Sequence, residues 1–162
     1  MNKLFKSSLI LVAALSAVAA QAGSVNAPLE ASATISSSCV VSATNVSFGT
    51  VTPAATGDVS ATGSIKAHCT NGTAYKITIS AGSSADANAR KMAGTSGNTD
   101  KFAYNLYSDA GATQVWKATE ADGIAGTGNG AEQVLNVYAK APLNQYLKPD
   151  TYSDSLTVTL SY

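Results

Sequence analysis

The sequence predicts an all-β domain held by one disulfide bond, and three observations support this fold class. Runs of strictly alternating apolar and polar residues recur along the chain, with turn-forming residues between them, as in half-buried strands. No segment after residue 22 shows a sustained helical period. The chain has two cysteines, Cys39 and Cys69, and an even number of cysteines in an exported chain predicts that they pair.

The N-terminus predicts export. Lys3 and Lys6 precede an apolar run at 9–20, which ends in the small-x-small pattern that a signal peptidase cleaves. We therefore expect residues 1–22 to be removed as a signal peptide. The apolar run is shorter than the roughly 20 residues that a membrane-spanning helix needs, and no later run approaches that length, so we expect no membrane span after cleavage.

Composition and charge restrict the function further. Without Lys3 and Lys6, eight basic residues remain against ten acidic ones, a net charge of minus two. This balance gives no indication of a nucleic-acid-binding surface. Charged residues make up 12% of the chain, about half the share in ordinary globular domains, which favours a β-rich surface protein over a cytosolic enzyme.

The alternating runs predict individual strands. Ile65–Cys69 and Tyr75–Ile79 flank Asn71-Gly72, which predicts a hairpin with a type I′ turn. Further strands are predicted at 40–48, 102–107, 133–139 and 155–162. The segments 82–97 and 121–130, rich in glycine and small polar residues, are predicted to be surface loops, and the whole pattern predicts two packed sheets.

One alternating run lies apart, directly after the predicted cleavage site and before the first cysteine. Its polar face includes Glu30, and its apolar face is formed by Val25, Ala27, Leu29, Ala31, Ala33 and Ile35. A run of about a dozen residues is long for a strand. It could pair within its own domain or with another, and Pro28, which lacks a backbone donor, favours a strand that starts after it or tolerates a missing ladder bond.

The order of motifs resembles the spore coat U family, which includes subunits of archaic (Csu-type) chaperone-usher pili. The resemblance covers Val25 to Tyr162, and it rests on Cys39, Phe48-Gly49, Gly63 through Cys69-Thr70, Tyr75-Lys76-Ile77, Arg90-Lys91-Met92, Tyr104 through Tyr107 with Asp109, Val115-Trp116, Tyr152-Ser153-Asp154 and Val158 through Tyr162.

The resemblance implies an immunoglobulin-like β-sandwich that lacks its final strand. A donor strand from a neighbouring subunit would complete it, and a periplasmic chaperone would occupy the same groove before polymerisation. On this basis residues 23–37 are the donor segment and 38–162 the pilin domain. The chain would then form a homopolymer at the cell surface, exported through the periplasm and delivered by an outer-membrane usher.

The C-terminal run is expected to line that groove, because a sandwich without its last strand exposes the strand before it. The residues expected there, in contact with the donor or the chaperone, are Leu156, Val158, Leu160 and Tyr162.

No catalytic, metal or cofactor site is expected. His68 and Cys69 are adjacent in a predicted strand and would point to opposite faces, so one metal ion could not easily bind both. With a single histidine in the chain, no acid-base set is visible, and the glycine-rich run at 123–130 lacks the spacing of a phosphate loop. The alternative to a pilus subunit is a self-contained secreted or coat-like sandwich that binds a matrix or a carbohydrate.

Overall fold

The computed structural model describes residues 22–54 and 56–162. The predicted signal peptide, apart from Ala22, lies outside them. The described chain separates into residues up to Thr34 and a larger unit, Ile35–Tyr162. The strands of the larger unit are β1 (Cys39–Ala43), β2 (Asp58–Cys69), β3 (Ala74–Ile79), β4 (Lys91–Gly94), β5 (Lys101–Ala103), β6 (Asn105–Tyr107), β7 (Ile124–Thr127), β8 (Glu132–Pro142), β9 (Tyr152–Ser153) and β10 (Val158–Ser161).

Two main sheets form a sandwich, which confirms the predicted all-β class. The first has the order β1-β2-β8-β6 and the second β10-β3-β7, while β5-β4-β9 form a small third sheet. The helical elements among the described residues are two 3-10 turns, Gly82–Ser84 and Glu120–Asp122.

Alternation explains the core. In β2 and β8 every second residue points inward, and Ile65 and Val137 from this sheet meet Ile77 from the opposite sheet in one cluster. Leu106 and Trp116, 2% and 1% exposed, complete the centre. Burying a large apolar side chain contributes about 1.5–3 kcal/mol, so this cluster holds the two sheets together.

The predicted hairpin is wrong. β2 pairs with β1 and β8, whereas β3 pairs with β10 and β7, so the chain crosses from one sheet to the other. The Thr73 amide donates to the Thr70 carbonyl (3.1 Å), and Gly72 has a φ of 80° while Asn71 is not among the residues with positive φ. A type I′ turn needs positive φ at both central residues, so this turn reverses the chain without pairing its flanking strands.

Two other local predictions need correction. The strand predicted at 102–107 is divided at Tyr104 into β5 and β6, which belong to different sheets. The Tyr104 amide still donates to the Arg90 carbonyl (3.0 Å), in register with the β4–β5 pairs, and from Asn105 the chain pairs with β8. The predicted loops at 82–97 and 121–130 contain β4 and β7. Both strands are four residues long and rich in glycine and alanine, so alternation in their side chains is weak.

Candidate functional site

Two strand edges of the sandwich lie close together without pairing. β1 is the end strand of the first sheet and β10 the end strand of the second, and Cα atoms of the two approach within 8 Å. Within the described chain no strand pairs with the outer edge of either. Unpaired edges of this kind can accept a further strand.

The two edges run in opposite directions. β1 and β2 are antiparallel, and so are β10 and β3, while the turn at Thr70–Thr73 reverses the chain between β2 and β3. β1 therefore runs away from the Cys39 end of the sandwich, and β10 runs towards it.

Beyond the point where β1 ends, the space between the two edges widens into an open cleft of about 960 Å³. One wall is the chain from Ala43 to Val51, and the other is the chain from Leu147 to Val158. Its apolar lining comes from both sheets and both walls: Val46, Phe48, Val51, Ile65, Ile79, Met92, Phe102, Leu106, Val137, Leu147, Leu156 and Val158. Buried residues of the core thus form the floor of this cleft.

The wall that leads into β10 is held by a polar network. The Asp154 carboxylate accepts hydrogen bonds from the Tyr104 hydroxyl (2.8 Å) and the Ser83 amide (2.9 Å). Burial, with the bond to Asp154, raises the pKa of Tyr104 well above its usual value, so the phenol stays a donor. Asp154 thereby fixes the backbone two residues before Leu156.

Arg90 anchors the same region from inside. Its side chain is fully buried and donates to the carbonyls of Ile79 (2.8 Å), Ser80 (3.0 Å), Ala87 (2.7 Å) and Trp116 (3.0 Å), and to the Asn105 side chain (3.2 Å). Burial lowers the pKa of Arg90. The guanidinium ties the end of β3, the partner of β10, to β6 of the opposite sheet.

The predicted groove residues divide between the cleft and its surroundings. Leu156 and Val158 line the cleft. Leu160 lies further along β10 and packs against the core, opposite Ile77, while Tyr162 is 63% exposed. The groove-lining role predicted for all four residues stays a prediction, and the geometry places the first two in the cleft.

Sequence reasoning missed most of the opposite wall. Val46 and Phe48 alternate within the segment predicted as a strand at 40–48, but β1 ends at Ala43 and the following chain borders the cleft. The sequence predicted only a strand at 40–48 and gave no information about a cleft beside it.

The predicted donor segment has no regular secondary structure and is exposed. Residues 22–38 form no helix or strand, and Val25, Leu29 and Ile35 are 97%, 95% and 88% exposed. Ala27, Ala31 and Ala33, on the same face, are exposed as well. The whole apolar face of an alternating run is therefore open to water, although its donor role stays a prediction.

The disulfide prediction is confirmed. Cys39 and Cys69 are bonded to each other, and they lie directly opposite in the register of β1 and β2, with Cα atoms 4.1 Å apart. The bond anchors the first residue of β1, the strand that leads from the exposed segment into the cleft wall.

The described residues offer little else of chemical interest. His68 is exposed, with Nε2 at 3.2 Å from the Gly130 carbonyl oxygen. The part of the chain that the structure describes has no group of three or more histidine, cysteine or acidic residues placed to hold a metal ion. No helix within it is long and apolar enough to span a membrane.

Comparison with known proteins identifies the family. The model of the Spore Coat Protein U domain matches residues 25–159. The chain belongs to this family. The predicted resemblance is thereby confirmed, and the match begins at Val25, the first residue of the apolar face of the exposed run.

Two similar proteins extend this comparison. Protein U of Myxococcus xanthus is 29% identical over 105 residues, which are 61% of this chain and 58% of that protein, so the chain spans little more than half of this relative. The crystal structure of the CsuC-CsuE complex, a chaperone with the tip adhesion subunit of archaic chaperone-usher Csu pili of Acinetobacter baumannii, matches with a TM-score of 0.59 and 17% identity, over 80% of this chain and 41% of that one. At this identity the second match shows the fold.

Proposed function

We propose that this protein is a structural subunit of a chaperone-usher pilus and polymerises by donor-strand exchange. Residues 25–35 of one copy fill the cleft of the next. One observation carries the proposal: the chain has both an apolar alternating run with its apolar face in water and an apolar cleft beside two unpaired strand edges. The cleft would bury the apolar face of the run, and the run would pair with a free strand edge.

The energetics favour this contact. A strand placed beside β10 forms ladder hydrogen bonds with its free edge, and its alternate side chains enter the cleft. Burial of Val25, Leu29 and Ile35 would contribute about 1.5–3 kcal/mol each. The small side chains of Ala27, Ala31 and Ala33 let the strand lie close to the floor, and Leu29 reaches deepest.

The symmetry of the contact determines the product. Donor and cleft are different surfaces of the same molecule, so each added copy presents a new cleft or a new donor. Such head-to-tail contacts do not close on themselves and generate a filament. The filament is proposed to lie on the cell surface and to support adhesion and biofilm formation.

Assembly requires that the cleft be covered before polymerisation, since exposed apolar surface and unpaired edges lead to aggregation. The fold match to a crystal structure of a chaperone-subunit complex supports a periplasmic chaperone as the first occupant. We propose export with removal of residues 1–22, chaperone capture in the periplasm and delivery to an outer-membrane usher.

The donor is tested with two neighbouring substitutions. Leu29→Lys places a charge on the apolar face, whereas Glu30→Lys changes the opposite face of the strand. We expect Leu29→Lys protein to fold and to form a chaperone complex, because its own cleft is intact, but to fail to cap the next subunit. Glu30→Lys protein should polymerise almost normally. Chaperone pull-down and a ladder gel of polymers measure the two steps.

Full-length ladders from Leu29→Lys would contradict the donor role. A stable wild-type monomer that neither polymerises nor binds a chaperone would favour the self-contained, matrix-binding or carbohydrate-binding domain.

The cleft is tested with a second matched pair. Val158→Asp places a carboxylate among apolar side chains, while Thr159→Asp changes the exposed face of the same strand. We expect loss of chaperone and donor binding for the first substitution, because burying an unpaired charge is costly, and retention for the second. Equal binding by both variants would place the acceptor site elsewhere.

A further inference from the structure

Pro28 lies in the middle of the exposed alternating run, one residue before Leu29, on the polar face. Proline has no amide hydrogen, and its ring obstructs a ladder partner on that side. A strand proposed to insert into a sheet carries this defect at its centre. The structure indicates in which direction, parallel or antiparallel to β10, Pro28 obstructs insertion.

The free edge of β10 has a defined set of donors and acceptors. The Thr157 carbonyl accepts from the Ser80 amide (2.9 Å), and the Thr157 amide donates to the Ser80 hydroxyl (2.9 Å), so Thr157 faces β3. Successive residues of a strand direct their amides to opposite edges. Leu156, Val158 and Leu160 therefore present their N–H and C=O groups to the free edge.

The direction of an inserted strand then decides where Pro28 faces. In an antiparallel pair, hydrogen-bonded residues lie directly opposite and share a face. The inward residues of β10 would bond the inward residues of the donor, such as Leu29, and Pro28 would face away. In a parallel pair with the apolar face still inward, the outward residues would bond β10, and Pro28 would stand where a donor is required.

Chain length allows a subunit only one direction of insertion into its own cleft. Four residue steps separate Ile35 from Cys39, a reach of about 14 Å. Cys39 lies at the end of β1 remote from the cleft, and the cleft wall begins at Ala43, already about 13 Å away. An antiparallel insertion would place Ile35 still further along the cleft, beyond this reach. A subunit can therefore insert the segment into its own cleft only parallel to β10, because this direction leaves Ile35 near Cys39.

We propose that Pro28 prevents a subunit from completing its own fold and so reserves the cleft for a chaperone or a second copy. The proline blocks the parallel ladder that its own segment must form, and it leaves intact the antiparallel ladder that a strand from another copy can form. This inference rests on the proposed donor-strand function and adds its regulation: the choice between self-completion and polymerisation.

The experiment uses the full mature chain, refolded at low concentration, and a fluorescent synthetic peptide of residues 23–37 as the probe. Wild-type monomer should capture the peptide. Pro28→Ala monomer should capture the peptide several-fold more slowly and should also polymerise more slowly, because in part of the population the segment occupies its own cleft. This self-completion is intramolecular, so its extent should not depend on protein concentration. Equal capture and equal polymerisation by the two proteins would overturn the inference.

A proline pair on neighbouring residues tests the ladder directly. Ala31→Pro removes an amide that faces β10 in an antiparallel ladder and should slow polymerisation at least about tenfold. Ser32→Pro removes one on the side of Pro28 and should polymerise close to the wild-type rate. The reverse order of the two would refute the inference. If wild-type protein captures no peptide and forms no polymer, the proposed function itself fails.

Discussion

The N-terminal segment and strand β10 have the same sequence pattern and different surroundings. Val25 to Ile35 and Leu156 to Leu160 both alternate strictly, yet β10 has a paired strand on one edge, whereas the N-terminal segment forms no strand. The side chains of Val158 and Leu160 are half-buried, while those of Leu29 and Ile35 lie in water. Alternation thus identifies a chain able to form a strand, and the partner is determined elsewhere.

The largest expected effect is that of removing the buried Arg90 side chain from the sandwich. Arg90→Ala would leave several buried carbonyl oxygens without a donor, at about 1–3 kcal/mol each where water cannot replace it. We expect a loss of at least about 3 kcal/mol in the free energy of unfolding. Urea unfolding of the monomer measures it, and Lys91→Ala, an exposed neighbour, is the control. A change below about 1 kcal/mol would mean that water reaches these carbonyls.

The disulfide bond gives the next largest effect. It closes a loop of 30 residues, and by the chain-entropy model this contributes about 3–4 kcal/mol. The free energy of unfolding of the Cys39→Ser, Cys69→Ser double variant should be lower by that amount. The end of β1 in this variant should also be free to separate from β2. Thermal unfolding with and without reductant provides the measurement. An identical transition under both conditions would show that the bond constrains neither state.

Arg90 and the disulfide bond differ in how far the sequence could predict them, and the strands differ in the same way. Alternation located β2, β3 and β8, because each buries one regular face. It could not identify their partners: Asn71-Gly72 specifies a local turn, while the pairing of β3 with β7 and β10 depends on residues far along the chain. Arg90 gave no sign of burial, since the main-chain carbonyls that accept its hydrogen bonds come from three separate segments of the chain. The sequence also did not reveal the cleft wall from Val46 to Val51, because the residues that face it lie far along the chain.

A smaller effect concerns acid sensitivity, which should arise in the loops of the sandwich. Hydrogen bonds from the Gln114 and Thr113 amides lower the pKa of Asp109, so its contribution to stability is present above its unfolded pKa near 3.9 and lost as pH falls through the folded pKa. We expect Asp109→Asn to lower the melting temperature at pH 7 and to converge with the wild type towards pH 2. A difference that stays constant over this range would contradict the assignment.

The smallest expected effect tests the comparison most directly. Leu29 is 95% exposed and Leu106 is 2% exposed, so the same change, leucine to alanine, samples both regions. Leu106→Ala removes packed methyl groups from the core and should cost about 2–5 kcal/mol. Leu29→Ala should change the unfolding free energy of the dilute monomer by less than about 0.5 kcal/mol. Urea unfolding of the monomer at low concentration measures both. In a filament assembled as proposed, Leu29 would lie in the cleft of the neighbouring subunit, so Leu29→Ala should hasten the dissociation of subunits. A monomer destabilised by more than about 1 kcal/mol on Leu29→Ala would instead make this segment a strand of its own domain.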